Sequence, residues 1–280
     1  LLPQDLIQSI ARSLFRLFYR VEVKGFSNYQ KVANKAVIIA NHTSYLDGLL
    51  LGAFLPHQLS FAINTNIASK WWVKPVFAFF HLLPVDPTNP MATKALVNQL
   101  KKGRRIVIFP EGRLTQTGAL MKIYEGPGAI AHLANAPLLP IRIEGAQYSI
   151  FSRLKGIVKL RFFPKITLII EKPTWFKPPE NLSSRDRRTW LAEALYDQMS
   201  GMMFSTSNRN RTLFESLIDA RRLHGGGQKV IEDVERNPVS YNRLLLGAFA
   251  LGRRIKKGTK ARDNVGLFLP NSVGAVVTFF

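Results

Sequence analysis

Residues 38–47 read IIANHTSYLD, and the fold depends on how this stretch is divided. A β-branched apolar run ends in Asn41-His42, and five residues after the histidine comes Asp47. In an unbroken helix that step turns through about 500°, leaving His42 and Asp47 roughly 140° apart around the axis. The two meet only if the backbone changes state between them. Val37, Ile38 and Ile39 favour a buried strand. Ser44, followed three residues on by Asp47, matches a capping box that opens an apolar helix through Leu46, Leu49, Leu50 and Ala53. The division predicts a strand, a connection carrying His42, and Asp47 in the first helical turn. Two uses stay open at this point: a His–Asp pair with a chemical task, or a helix cap beside an ordinary loop histidine.

The alternation extends outward. Strand-like runs recur at 35–40 (KAVIIA), 59–64 (LSFAIN), 82–86 (LLPVD), 104–110 (RRIVIFP) and 137–144 (PLLPIRIE), with helical patterns at 46–55, 67–80, 91–102 and about 126–135. Strands alternating with helices predict an α/β fold with a central, mostly parallel sheet flanked by helices. GIVKLRFF (156–163) and PKITLIIE (164–171) are expected to add strands, and prolines at 173, 178 and 179 mark a boundary before a helix over 186–203. From about Arg211 the chain turns mainly helical, broken by Gly225-Gly226-Gly227. The expected division is an amphipathic lead-in over 1–24, a catalytic-type α/β domain over 25–208 and a further segment over 209–280.

Composition limits the class of function. The 280 residues are 46% hydrophobic, enough for a substantial core, and 39 Lys and Arg against 18 Asp and Glu give a formal charge of +21. The cations are spread along the chain, as at Arg12/Arg16/Arg20, Lys101 to Arg105, Arg185 to Arg188 and Arg253 to Lys257, which suits an extended anionic surface or an acidic partner. There is no cysteine, hence no disulfide, no thiolate metal site and no Cys nucleophile. No apolar run reaches the roughly 18 residues of a spanning helix. Residues 3–20, however, set Ile7, Ile10, Leu14, Leu17 and Phe18 at helical spacing beside Arg12, Arg16 and Arg20, an amphipathic basic helix expected to lie on a membrane. Ser69 to Leu83, with Trp71, Trp72, Phe77, Phe79 and Phe80 between Lys70 and Lys74, has the same interfacial character. A basic, aromatic-rich chain also admits a nucleic-acid binder, but no zinc-finger, RRM or KH pattern is present.

The second informative stretch, RRIVIFPEGRLTQTG (104–118), repeats the first: a buried strand delivers polar residues at its C-terminal end, where ligands of open α/β sheets bind. Gly112 permits close backbone approach, Arg113 offers a planar fork to phosphate or carboxylate, and Glu111 is expected to orient Arg113 or accept from a hydroxyl. NHTSYLD resembles the NHxxxxD block of the glycerolipid acyltransferases, FPEGR resembles their FPEG block, and LLPIR (138–142) resembles a later block; together they span roughly residues 20–170 in the family's order. The family's middle block, with its Arg after a strand, has no clear counterpart in Asn64 to Asn66 or LLPVDP.

The resemblance implies that His42 is a general base, Asp47 its orienting carboxylate, and Glu111, Gly112 and Arg113 the glycerophosphate site, with an acyl thioester as co-substrate and neither cofactor nor metal. Phe77, Phe79 and Phe80 are candidates to line an acyl groove, and His57, His81, His132 and His224 have no partner pattern. FPEGRLTQTGALMKIYEGPG and IEGAQYSIFSRLKGIVKLRFFPKITL look most like the acyltransferase half of bacterial bifunctional proteins joining 2-acylglycerophosphoethanolamine acyltransferase to acyl-[acyl-carrier-protein] synthetase. VIEDVERNPVSYNRLLLGAFALGRRI and NVGLFLPNSVGAVV look like the opening of the synthetase half, without its phosphate loop. What this implies is acyl transfer from acyl carrier protein or acyl-CoA to a lysophospholipid, 2-acylglycerophosphoethanolamine first and 1-acylglycerol-3-phosphate as the alternative, at the cytoplasmic face of a bacterial inner membrane. An anionic membrane surface is the expected partner, and nucleic acid is not. The chain opens on Leu1 without Met or a signal peptide and closes within the apolar VGAVVTFF, so its natural ends are expected to lie beyond these residues.

Overall fold

The computed structural model describes residues 4–32, 34–56, 59–68, 80–86, 89–207, 210–260 and 262–280. These fall into two compact units, Leu1–Ser207 and Asn208–Phe280. In the first unit the strands are β1 (Glu22–Lys24), β2 (Ala36–Ala40), β3 (Leu59–Asn64), β4 (His81–Val85), β5 (Arg105–Ile108), β6 (Leu138–Glu144) and β7 (Thr167–Ile170). They form one sheet in the order β1-β7-β6-β2-β5-β3-β4. Only β6 and β7 are antiparallel neighbours; the other pairings are parallel. The expected mostly parallel α/β sheet is what forms.

The central strand shows why. All five residues of β2 are buried, as both faces of a parallel strand must be when helices cover them. With period two, Ala36, Ile38 and Ala40 join a cluster with Tyr19, Tyr29, Leu50 and Leu51, while Val37 and Ile39 join Leu96, Leu100, Ile130, Leu191 and Leu195 on the opposite face. The first face carries α1 (Gln4–Tyr19), α2 (Phe26–Gln30) and α3 (Leu46–Phe54). The short α4 (Thr65–Ala68) follows β3, and the second face carries α5 (Pro90–Lys101), α6 (Gly126–Ala134) and α7 (Ser184–Ser205). Each fully buried Ile or Leu contributes about 1.5–3 kcal/mol, so the two layers fix β2 and thereby the point where its chain emerges.

Helix α1 covers the C-terminal end of α3. Its polar edge faces inward: Gln8 Nε2 donates to the carbonyls of Gly52 (2.7 Å) and Leu55 (2.8 Å), and Arg12 Nε donates to Ala53 O at 2.9 Å. Arg16 sits over the Phe54 ring at 5.8 Å. Arg12 and Arg16 thus complete the C-terminal end of α3, where orphan carbonyls and the helix dipole both favour a cation. Leu6, Ile10, Leu14, Leu17 and Phe18 are exposed.

GIVKLRFF forms no strand. It lies in the β6–β7 connection with isolated bridges only, and its Ile157, Phe162 and Phe163 are exposed. PKITLIIE contributes the shorter β7. β1, with three residues, is too brief to leave a periodic signal; it pairs in parallel with β7. The second unit contains α8 (Leu213–His224), β8 (Lys229–Ile231), β9 (Val239–Ser240), α9 (Tyr241–Gly258) and α10 (Val273–Phe279) around Leu217, Val239, Tyr241, Leu244 and Leu245. Its antiparallel β8–β9 pair was not anticipated within the helical pattern. Among the described residues no helix is long and apolar enough to cross a membrane.

Candidate active site

The chain leaves β2 through Asn41. This buried amide extends the sheet by one side chain: Asn41 Nδ2 donates to Ile143 O at 2.9 Å, and Ile143 N–H donates to Asn41 Oδ1 at 2.8 Å. Asn41 thus supplies both halves of a backbone pairing while its own main chain turns off toward His42. The turn then closes on Asp47, whose side chain is wholly inaccessible. Asp47 Oδ2 accepts from Thr43 N–H at 2.6 Å and Ser44 N–H at 2.9 Å. It also lies 3.0 Å from His42 Nδ1.

The predicted capping box is only half formed. Asp47 reaches back to the Ser44 N–H, but Ser44 Oγ accepts from Leu46 N–H (3.2 Å) and meets Ser149 Oγ (3.0 Å), so α3 begins one residue after its Tyr45 cap. Capping and histidine orientation are therefore done by one carboxylate. A carboxylate on Nδ1 selects the tautomer protonated there and leaves Nε2 with its lone pair. The His42 side chain is 21% exposed and stacks on Phe109, ring centroids 4.0 Å apart and planes 16° from parallel. The ring is clamped on one face and at one nitrogen, and still accessible.

The loop after β5 meets the same turn. Glu111 is buried to 2% exposure; Oε1 accepts from His42 N–H at 2.8 Å and Oε2 from Met121 N–H at 3.0 Å. Burial raises the Glu111 carboxyl above its ordinary value, and the two backbone N–H groups pull partly against that. Thr115 N–H donates to His42 O at 2.8 Å, so both backbone polar groups of His42 are held by the 111–115 segment. Gly112 has φ +65°, and a Cβ there would stand 3.1 Å from Tyr124 Cε2, so both conformation and space favour glycine.

The five residues singled out in the sequence thus occupy one neighbourhood with unequal parts. His42 and Asp47 meet directly. Glu111 does not orient Arg113, because both its oxygens are taken by backbone donors. Arg113 is exposed and forms no ion pair among the described residues. Sequence reasoning missed Thr115, Ser149 and Phe109 as partners, although Phe109 opens the very FPEGR stretch that was quoted. Arg142 of LLPIR has a structural task, donating to Met203 O, Thr206 Oγ1 and Ser207 Oγ. Residues 69–79, including Trp71, Trp72, Phe77 and Phe79, and His57 lie outside the described residues. Phe80 packs edge-on against Phe61 at 5.2 Å. His81 bonds Ser60 Oγ (3.0 Å) and His224 stacks on Tyr241. No group of three or more His, Asp or Glu among the described residues is placed to hold a metal ion.

A parallel sheet whose central strand ends in a carboxylate-held histidine, braced by a Phe-Pro-Glu-Gly turn, defines a class, and residues 20–144 match the Acyltransferase family model. That segment is similar to acyltransferase domains. Over 134 residues the chain is 31% identical to the 1-acyl-sn-glycerol-3-phosphate acyltransferase of Pseudomonas aeruginosa, covering 46% of this chain and 51% of that protein. It is 25% identical over 182 residues to the chloroplastic 1-acyl-sn-glycerol-3-phosphate acyltransferase BAT2 of Brassica napus, covering 64% of this chain and 52% of the relative. The chain thus spans about half the length of the curated relatives it matches. In fold it resembles the crystal structure of the 1-acyl-sn-glycerophosphate acyltransferase PlsC from Thermotoga maritima, with TM-score 0.51 and 24% identity over 71% of this chain and 79% of that one.

Proposed function

We propose that the protein transfers a fatty acyl group from an acyl thioester to the free hydroxyl of a lysophospholipid. The observation that carries this reading is the accessible His42 ring held at Nδ1 by inaccessible Asp47, 3.0 Å away, inside the matched segment. His42 Nε2 takes the hydroxyl proton as the oxygen attacks the thioester carbonyl. The tetrahedral intermediate collapses with cleavage of the C–S bond, and the imidazolium returns its proton to the leaving thiolate. Asp47 keeps the ring in the right tautomer and steadies its charged form; base assistance of this type is worth roughly 10²–10⁴-fold. Arg113, exposed two residues after Glu111, binds the acceptor phosphate.

The names of the relatives favour 1-acylglycerol-3-phosphate as acceptor, while the resemblance of residues 109–128 and 143–168 to bifunctional proteins favours 2-acylglycerophosphoethanolamine. On the second reading the donor is acyl carrier protein, which suits a chain of charge +21, and the site lies at the cytoplasmic face of a bacterial inner membrane. The deciding experiment is transfer of labelled acyl groups from acyl carrier protein and from CoA to detergent-dispersed lysophosphatidic acid and lysophosphatidylethanolamine. Transfer to either supports the reading and ranks the acceptors. No transfer to any lysolipid from either donor overturns it.

A further inference from the structure

We infer that the β6–β7 connection, residues 145–166, is the surface that seats the domain on an anionic bilayer. The observation is compositional and geometric together. Between Glu144 and Glu171 the sequence holds five cations, Arg153, Lys155, Lys159, Arg161 and Lys165, and no acidic residue; Lys165 is paired with Glu22 of β1 at 3.0 Å, and the anionic contact is assigned to the cations before it. Interleaved with them, Phe151, Ile157, Phe162 and Phe163 are exposed, Phe162 to 69%. Apolar side chains set among cations on one solvent-facing loop are costly in water and complementary to a negatively charged interface, where the rings enter the headgroup layer and the cations meet its phosphates.

The loop is fastened at both ends to elements that give the contact a consequence. At one end it holds the catalytic turn: Tyr45 N–H donates to Phe151 O (3.2 Å), Ser44 Oγ meets Ser149 Oγ (3.0 Å), and the Arg153 fork donates to Tyr45 Oη at 3.2 and 2.8 Å. At the other it holds α1: Phe163 stacks on Phe18 at 4.9 Å and meets Tyr19 edge-on at 5.4 Å, and Arg20 donates to Phe163 O at 3.3 Å. The exposed Leu14, Leu17 and Phe18 therefore continue the same apolar surface. The sequence assigns anion attraction to Arg12, Arg16 and Arg20; Arg12 and Arg16 are engaged on α3, and Arg20 joins this loop at Phe163 O. The choice of a lipid surface as occupant rests on the acyl-transfer reading; the loop's fit to it rests on charge and exposure.

The test is co-sedimentation of the full chain with vesicles of phosphatidylcholine alone and of phosphatidylcholine with phosphatidylglycerol, alongside transfer to detergent-dispersed lysolipid. Lys155→Glu/Arg161→Glu/Phe162→Ser is expected to weaken binding to the phosphatidylglycerol vesicles by at least about tenfold, while detergent-dispersed activity and the unfolding temperature stay at wild-type values. The single changes Phe162→Ser and Lys155→Glu give the same direction at smaller size should the triple variant misfold. Wild-type retention by the phosphatidylglycerol vesicles in all these variants overturns the inference. So does a wild-type chain that ignores both vesicles yet binds single-stranded RNA. Equal loss of detergent-dispersed activity would assign the loop to the fold instead. Intact detergent-dispersed transfer with no vesicle binding refutes the seating surface and leaves the acyl-transfer reading standing.

Discussion

Two buried carboxylates converge on one residue, and they hold different parts of it. Asp47 takes donors from its own turn: two backbone N–H groups, the Thr43 hydroxyl and the His42 ring. Glu111 takes one donor from the end of β2 and one from Met121, so it ties together segments far apart in sequence. The shorter acid organises a local turn and aims a ring; the longer one bridges neighbouring strand ends and places the backbone under that ring. Orientation and position of the same imidazole are thus separate tasks, and substitutions ought to separate them.

The sharpest way to break the comparison is to remove what both carboxylates serve. His42→Ala is expected to lower transfer at least about 10³-fold with the unfolding midpoint little changed, since the ring is accessible and fills little core. A residual rate above a tenth of wild type in a steady-state assay would end the general-base assignment. Asp47→Asn follows, with a loss of about 10²–10³-fold in kcat: an amide N–H facing Nδ1 shifts the ring proton to the nitrogen that must accept. The same amide confronts the Thr43 and Ser44 N–H groups, so denaturant unfolding should show a cost of about 1–3 kcal/mol.

Glu111→Gln tests position without touching the ring. One of its two backbone donors loses an acceptor, and an activity loss of about tenfold with a stability cost of about 1–3 kcal/mol is expected. Its pH dependence has a definite sign. Because burial raises the folded carboxyl above 4.5, its contribution is full below that value and is lost as pH rises through the higher folded value. Urea unfolding from below pH 4.5 to neutrality should therefore show the advantage of wild type over Glu111→Gln shrinking as pH rises. An advantage that grows with pH would mean that the N–H groups outweigh desolvation. The smallest effect is expected at Arg113→Lys, which keeps charge but loses the planar fork: acceptor KM should rise several-fold with donor KM unchanged. The opposite pattern would move Arg113 to the donor side.

What could be read in advance follows the same line between local and distant contacts. LSFAIN is β3 residue for residue, and the predicted strand at 137–144 loses only its leading proline, because buried parallel strands advertise themselves as apolar runs. The meeting of His42 and Asp47 was legible because five residues and one change of backbone state suffice to bring it about. That Glu111 reaches the His42 and Met121 N–H groups is not legible, since no pattern within a strand end says which distant donors a long side chain will meet. GIVKLRFF reads as a strand by composition, but a strand needs a neighbour and a layer, and neither is encoded in its own eight letters. α1 shows both sides at once: its periodicity gives two faces correctly and says nothing of which one finds α3.

That last contact sets a limit on how far the chain can be trimmed. α3 is a nine-residue helix, shorter than the roughly 12–15 residues at which a helix begins to hold by itself. Its first turn is anchored by Asp47 and its last by Gln8 and Arg12, so the segment bearing Asp47 is sealed at the far end by a different helix. A version beginning after Tyr19 would retain every residue of the family match and both signature motifs, yet leave the carbonyls of Gly52, Ala53 and Leu55 without those donors. The boundary of the recognisable domain and the boundary of the autonomous folding piece are therefore different places on this chain.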